Sequence, residues 1–129
     1  MRTLFSGKIL CLVFLMFSVG GAFAKELTLS SPDGNTEVQI DVSDRIYYSV
    51  LQNDQLLLDR CHLQLALENE LLGATPVFQH SEKGTVRDKL YPDVPLKNAG
   101  ITDHYNWLRL EFQNDYSVEF RAYDEGIAY

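Results

Sequence analysis

Asp103, His104, Tyr105 and Asn106 form the most polar run of specific-looking side chains in the sequence. A carboxylate, an imidazole, a phenol and an amide can together bind sugar hydroxyls, and Tyr105 adds a ring face. The same residues can instead cap the entry to the next strand, because Asp and Asn bond nearby backbone groups well. Trp107 follows at once. It can cover a second sheet or a neighbouring domain, or serve as an exposed sugar platform.

The other reactive side chains form no constellation. His62, His80 and His104 are far apart and make no H-x-x-H or H-E-x-x-H pair, so the spacing gives no zinc site. There is no G-x-S-x-G elbow and no glycine-rich phosphate loop. Asp124 and Glu125 are adjacent at a turn. Neighbouring side chains point apart, so these two do not straddle one glycosidic bond and read as solvated turn acids. Cys61 lies in the leucine-rich run LLLDRCHLQLAL and reads as a buried, inert thiol.

Residues 1–24 read as a cleaved leader rather than as part of the fold. Arg2 and Lys8 supply positive charge, Ile9 to Val19 an apolar run, and Ala22-Phe23-Ala24 an A-x-A site, which makes Lys25 the mature N-terminus. The apolar run is shorter than the roughly 20 residues a membrane-spanning helix needs. The expected location is therefore periplasmic or secreted. Losing Arg2 and Lys8 takes the formal net charge from −7 to −9. Such an acidic chain disfavours nucleic acid and, once the leader is gone, anionic membrane. Cys61 then stands alone, so no internal disulfide is possible.

The elements that must position these residues are short strands. Apolar residues alternate with polar ones at Leu27 and Leu29, at Val38, Ile40 and Val42, and at Ile46, Tyr48 and Val50. Ser31-Pro32-Asp33-Gly34-Asn35 is a turn, and Gln52-Asn53-Asp54-Gln55 a tight hairpin loop without its usual glycine. Leu56 to Leu72 can be fitted to helical spacing. The alternation Leu63-Gln64-Leu65-Ala66-Leu67 and the strands around it favour strand. Gly73 to Gly100 predicts short strands at Val77 to His80 and Thr85 to Arg87, then a long loop, KLYPDVPLKNAG. Leu108, Leu110 and Phe112, then Val118, Phe120 and Ala122, predict a hairpin through Gln113-Asn114-Asp115. Asp124-Glu125-Gly126 turns again, with Gly126 free to take positive φ, and Ile127 to Tyr129 starts a further strand. The pattern is all-β, an antiparallel β-sandwich.

With these segments in order, the chain resembles glycoside hydrolase family 97. The residues that carry the resemblance are Ser31 to Gly34 (SPDG), Tyr48-Ser49-Val50, Tyr105-Asn106, and Phe120 to Tyr129 (FRAYDEGIAY), behind a leader. They span nearly the whole mature chain, while Leu67 to Lys97 matches poorly. The resemblance implies an exported α-glucosidase or α-galactosidase of gut or environmental Bacteroidetes. It implies a galactose-mutarotase-like N-terminal sandwich, a (β/α)8 barrel holding the general acid and the base or nucleophile, and a small C-terminal β domain. It also implies a calcium ion at the active site of the full-length protein. No position here matches the family's catalytic or calcium-binding carboxylates. The chain itself is therefore assigned no catalytic residue, no metal ligand and no cofactor.

Residues 25–129 are accordingly expected to be the first, incomplete part of that sandwich, inactive alone, with carbohydrate and the missing catalytic barrel as partners. The alternative is a self-contained secreted module for carbohydrate binding or adhesion. An incomplete sandwich leaves one inner face uncovered, so Leu108, Leu110, Phe112, Val118, Phe120 and Ala122 should form an apolar patch facing water.

Overall fold

The computed structural model describes residues 24–91, 93 and 100–129. The leader assigned to residues 1–24 thus lies outside the described residues except for Ala24, as does most of the segment between Tyr91 and Gly100. The described chain is antiparallel strand joined by turns, with no helix. β1 (Lys25–Ser30), β2 (Thr36–Val42), β3 (Ile46–Gln52) and β4 (Gln55–Leu63) form one sheet in sequential order. β5 (Leu65–Ala66) and β6 (Leu71–Leu72) make a small separate hairpin. β7 (Phe78–Leu90), β8 (Ile101–Phe112), β9 (Tyr116–Tyr123) and β10 (Gly126–Ala128) form the second sheet, in the order β10-β9-β8-β7.

The turns follow from their residues. Asn53 and Asp54 both adopt left-handed φ, 49° and 62°, and close the β3–β4 hairpin with no glycine. Asn and Asp tolerate that region better than other side chains. Asn114 and Asp115 do the same between β8 and β9, at 73° and 56°. The expected positive φ at Gly126 does not occur: among the described residues the positive-φ glycines are Gly34 and Gly73. Gly126 instead pairs with Tyr123 as the first residue of β10, so the two-residue Asp124-Glu125 loop makes the reversal.

Period-two alternation builds the core. Val38, Ile40 and Val42 on β2 and Ile46, Tyr48 and Val50 on β3 point inward, against Leu108, Leu110 and Phe112 on β8 and Phe120 and Ala122 on β9. β1 and β2 face β8, β9 and β10, so the two sheets cover each other. The expected apolar patch is therefore not there. Leu110, Phe120 and Ala122 are fully buried, Leu108 and Phe112 nearly so, and Val118 packs against them partly buried. Apolar exposure sits elsewhere, at Leu56, Leu57 and Leu58 on edge strand β4 and at Leu65 and Leu71 on the small hairpin.

Two strands differ from expectation in length. The leucine-rich stretch is strand rather than helix, but the alternation at Leu63 to Leu67 does not make one strand: β4 carries a bulge and ends at Leu63, and β5 holds only Leu65 and Ala66. At the bulge Arg60 takes φ 46° and its backbone N–H donates to the Ser49 hydroxyl. β7 is a single 13-residue strand where two short strands and a loop were predicted. It pairs with β8 from Phe78↔Phe112 to Leu90↔Ile101, whereas β9 pairs with β8 only from Asn106 onward. The far half of β7–β8 is thus a ribbon reaching past the three-stranded part of the sheet. Both its faces are largely solvated, so the sequence there lacks the apolar rhythm by which strands are read.

Candidate functional site

Asp103 to Asn106 lie within β8, not at its entry, so they cap nothing. The strand also divides them. Asp103 and Tyr105 share the outer face, while His104 and Asn106 share the face of Leu108 and Leu110. Asn106 is committed at both ends. Its Nδ2 donates to the Ser30 carbonyl at 2.8 Å, and its Oδ1 accepts from the Thr85 hydroxyl at 2.6 Å. One amide therefore ties β8 to β7 and to β1 of the opposite sheet. Tyr105 is buried, its ring 4.9 Å from that of Tyr123 and 5.0 Å from the Arg121 guanidinium. Asp103 and His104 remain half-buried, opposite Asp88 and Arg87 in the ladder.

The outer face of this sheet carries an arrangement that needs three strands. Arg109 donates to Glu119 Oε2 from Nη2 at 2.7 Å and from Nε at 3.1 Å. Arg121 Nε donates to Glu119 Oε1 at 2.8 Å. The Arg109 guanidinium stands 5.6 Å from the Trp107 ring. Trp107 lies opposite Gly84 on β7, and a Cβ at Gly84 would stand 2.9 Å from its indole. The missing side chain is what lets the indole lie there. The result is a row of aromatic and guanidinium planes bonded through one carboxylate. It suits sugar rings or the planar groups of an adjoining domain. The alternation of W-L-R-L and E-F-R-A-Y places these residues on one face, but only the Arg109↔Glu119 register joins them.

The two arginines hold the Glu119 carboxyl below its ordinary value, first through the Arg121 hydrogen bond and then through that of Arg109. Stability from this ladder is present above pH 4.5 and is lost as pH falls through the lower folded value. In that window the unfolded chain binds a proton that the folded chain does not. Urea midpoints measured from about pH 5 downward should fall, and Glu119→Gln should flatten part of that slope. An identical slope in the variant would remove the ladder as its cause.

A second cluster joins two turns distant in sequence. The Ser31 hydroxyl donates to Asp33 Oδ1 at 2.6 Å, and the Asn35 backbone N–H donates to the same oxygen at 2.9 Å. The Asp33 N–H donates to Asp124 Oδ1 at 2.9 Å, and the Thr36 hydroxyl donates to the Asp124 carbonyl at 3.3 Å. The Ser31 hydrogen bond is the main cause holding the Asp33 carboxyl below its ordinary value. Asp124 is therefore a clamp between the sheets rather than a free turn acid, while Glu125 stays exposed.

The remaining reactive groups stay dispersed. His80 Nε2 is 3.5 Å from Glu82, and His62 lies on β4 opposite Tyr47. Cys61 packs partly buried against the core beside Tyr48. The Tyr48 phenol is pushed up to about 12, first by its hydrogen bond with Tyr129 and then by burial, and so stays neutral. Among the described residues no three His, Cys, Asp or Glu side chains converge as metal ligands.

Residues 29–129 match the family model described as Glycosyl-hydrolase 97 N-terminal. The chain is 35% identical over 106 residues to a retaining alpha-galactosidase of Bacteroides thetaiotaomicron, covering 81% of this chain and 16% of that protein. Among solved structures it is similar to a Glycoside Hydrolase Family 97 enzyme from Pseudoalteromonas sp. strain K8. The complex of that enzyme with acarbose aligns with a TM-score of 0.69 and that with panose with 0.68. Each alignment is 17% identical and covers 78% of this chain and 16% of that one. The chain thus spans about a sixth of the length of these relatives. On the match across residues 29–129, the chain belongs to the N-terminal domain family of glycoside hydrolase family 97.

Proposed function

We propose that the chain works as the non-catalytic N-terminal sandwich of an exported α-glycosidase, resting against a catalytic barrel that supplies the reacting carboxyls. The observation that carries this is the 35% identity to a retaining alpha-galactosidase, confined to 16% of that protein. A glycosidase needs two carboxyl groups across the scissile bond, roughly 5 Å apart for retention. Here Asp33, Asp124 and Glu119 are bound to backbone, hydroxyl and guanidinium groups. On this reading residues 1–24 direct export to the periplasm or beyond, and residues 25–129 shape one wall of a larger protein. The share of carbohydrate contact within the tetrad falls to Asp103 and His104, which stay half-buried, while Tyr105 and Asn106 hold the strands.

The test is turnover of aryl α-galactosides and aryl α-glucosides by two samples, residues 25–129 and the product of the complete reading frame that encodes them. The expected result is no turnover by the first and turnover by the second. Hydrolysis by residues 25–129 alone would overturn the reading, as would a complete product that cleaves neither substrate class.

A further inference from the structure

The β7–β8 ribbon sorts its charges by face. On β7 the residues Glu82 and Asp88 lie on the outer face, whereas Lys83, Arg87 and Lys89 lie on the inner face, with Thr85 between them. Across the ladder that inner face continues through Asn106, His104 and Thr102. Lys83, Thr85, Arg87 and Lys89 are all exposed. At the strand rise of about 3.3 Å per residue, Lys83 and Lys89 are roughly 20 Å apart. In the sandwich proper Arg60 pairs with Asp41, and Arg109 and Arg121 share Glu119. An acidic chain thus places a row of three cations, without ion pairs among the described residues, on one face of one strand.

The row opens into a groove. Thr28, Ser30, Lys83, Thr85 and Asn106 line an open hollow of about 450 Å³ where β1 meets β7 and β8. That volume lies within the range of small-ligand sites, roughly 300–1,000 Å³. The Thr28 and Ser30 hydroxyls in the groove match sugar hydroxyls, while Thr85 and Asn106 are bonded to each other, and cations spaced along the strand match a charge repeated along a polymer.

We propose that this face of the ribbon binds an acidic polysaccharide, a glycan carrying a carboxylate on successive sugar rings. Charge complementarity selects an anion. The hydroxyl-lined groove that shares Lys83 and Thr85 with the row selects a glycan over an acidic peptide. The assignment goes beyond the proposed glycosidase role and stands on surface chemistry separate from any reacting group.

Affinity electrophoresis of the chain through gels containing polygalacturonate tests it, with neutral pullulan and poly-glutamate as comparisons. Polygalacturonate should retard the chain and pullulan should not. The triple variant Lys83→Gln, Arg87→Gln, Lys89→Gln should bind about tenfold more weakly or worse, since three charge-assisted contacts go together. The charge-conserving variant Lys83→Arg, Arg87→Lys, Lys89→Arg should keep binding. Raising salt from about 0.01 M to about 1 M, which shortens the screening length from about 30 Å to about 3 Å, should abolish the retardation. No retardation by polygalacturonate overturns the proposal, as does equal retardation of the triple glutamine variant. Retardation by poly-glutamate as strong as by polygalacturonate also overturns it, by assigning the row to an acidic protein surface.

Discussion

Phe120→Ala lowers the unfolding free energy of the sandwich by about 3–5 kcal/mol. Phe120 sits mid-strand on β9, opposite Leu108, and has no solvent exposure. Its ring lies 6.1 Å from Tyr48 of the other sheet and 6.0 Å from Tyr129. It therefore fills the layer where the two sheets meet. Truncation removes the transfer energy of a buried ring and leaves a cavity walled by β-sheet, which collapses poorly. A domain of this size holds only about 5–15 kcal/mol, so the loss is a large share of the total. Phe120→Leu keeps most of the volume and should lose less. Equilibrium urea unfolding followed by tyrosine fluorescence measures both. Equal midpoints for wild type and Phe120→Ala would mean that the ring is not a core member.

Gly73→Ala costs about 2–5 kcal/mol, and Gly34→Ala costs clearly less. Both glycines have left-handed φ, +84° and +78°. Placing an L side chain there costs roughly 1–2 kcal/mol at either site. The sites differ in space. A Cβ at Gly34 meets nothing within 4 Å, whereas one at Gly73 would stand 2.5 Å from the Leu63 carbonyl oxygen. That oxygen is backbone, so relief requires β6 to move away from the end of β4, an overpacking cost of about 1–3 kcal/mol. The chain just after Gly73 is also anchored, by the Thr75 N–H donating to the Asp44 carbonyl at 3.0 Å and by the Arg45↔Ala74 bridge. Paired unfolding curves of the two variants separate the conformational cost from the steric one. A Gly34→Ala loss as large as that of Gly73→Ala would leave the close approach without energetic weight.

The family motifs take on a physical meaning once the strands are placed. Ser31 to Gly34 and the Tyr123-Asp124-Glu125-Gly126 turn meet, through Asp33 and Asp124, although they lie 91 residues apart in sequence. Tyr105-Asn106 pins β8 to both neighbours. The segments that carry the resemblance are thus the joints of the sandwich. Such side chains look catalytic in a string of letters, because Asp, Asn, Ser and Tyr serve hydrogen bonding in either role.

What the sequence determined by itself was local. Alternation at Val38 to Val42, Ile46 to Val50, Leu108 to Phe112 and Val118 to Ala122 specified strands and their buried faces, because a strand exposes alternate residues to different media. The SPDG and Asn-Asp segments specified turns, because few side chains tolerate the backbone they need. What only the tertiary structure decided was long-range. The covering of the inner faces, the Asp33–Asp124 clamp and the Arg109–Glu119–Arg121 ladder depend on register between distant strands, which no local period encodes. The length of β7 depended on β8 as well. Its polar, solvated faces carry no hydrophobic rhythm, and it is strand because β8 supplies the hydrogen bonds along its whole length.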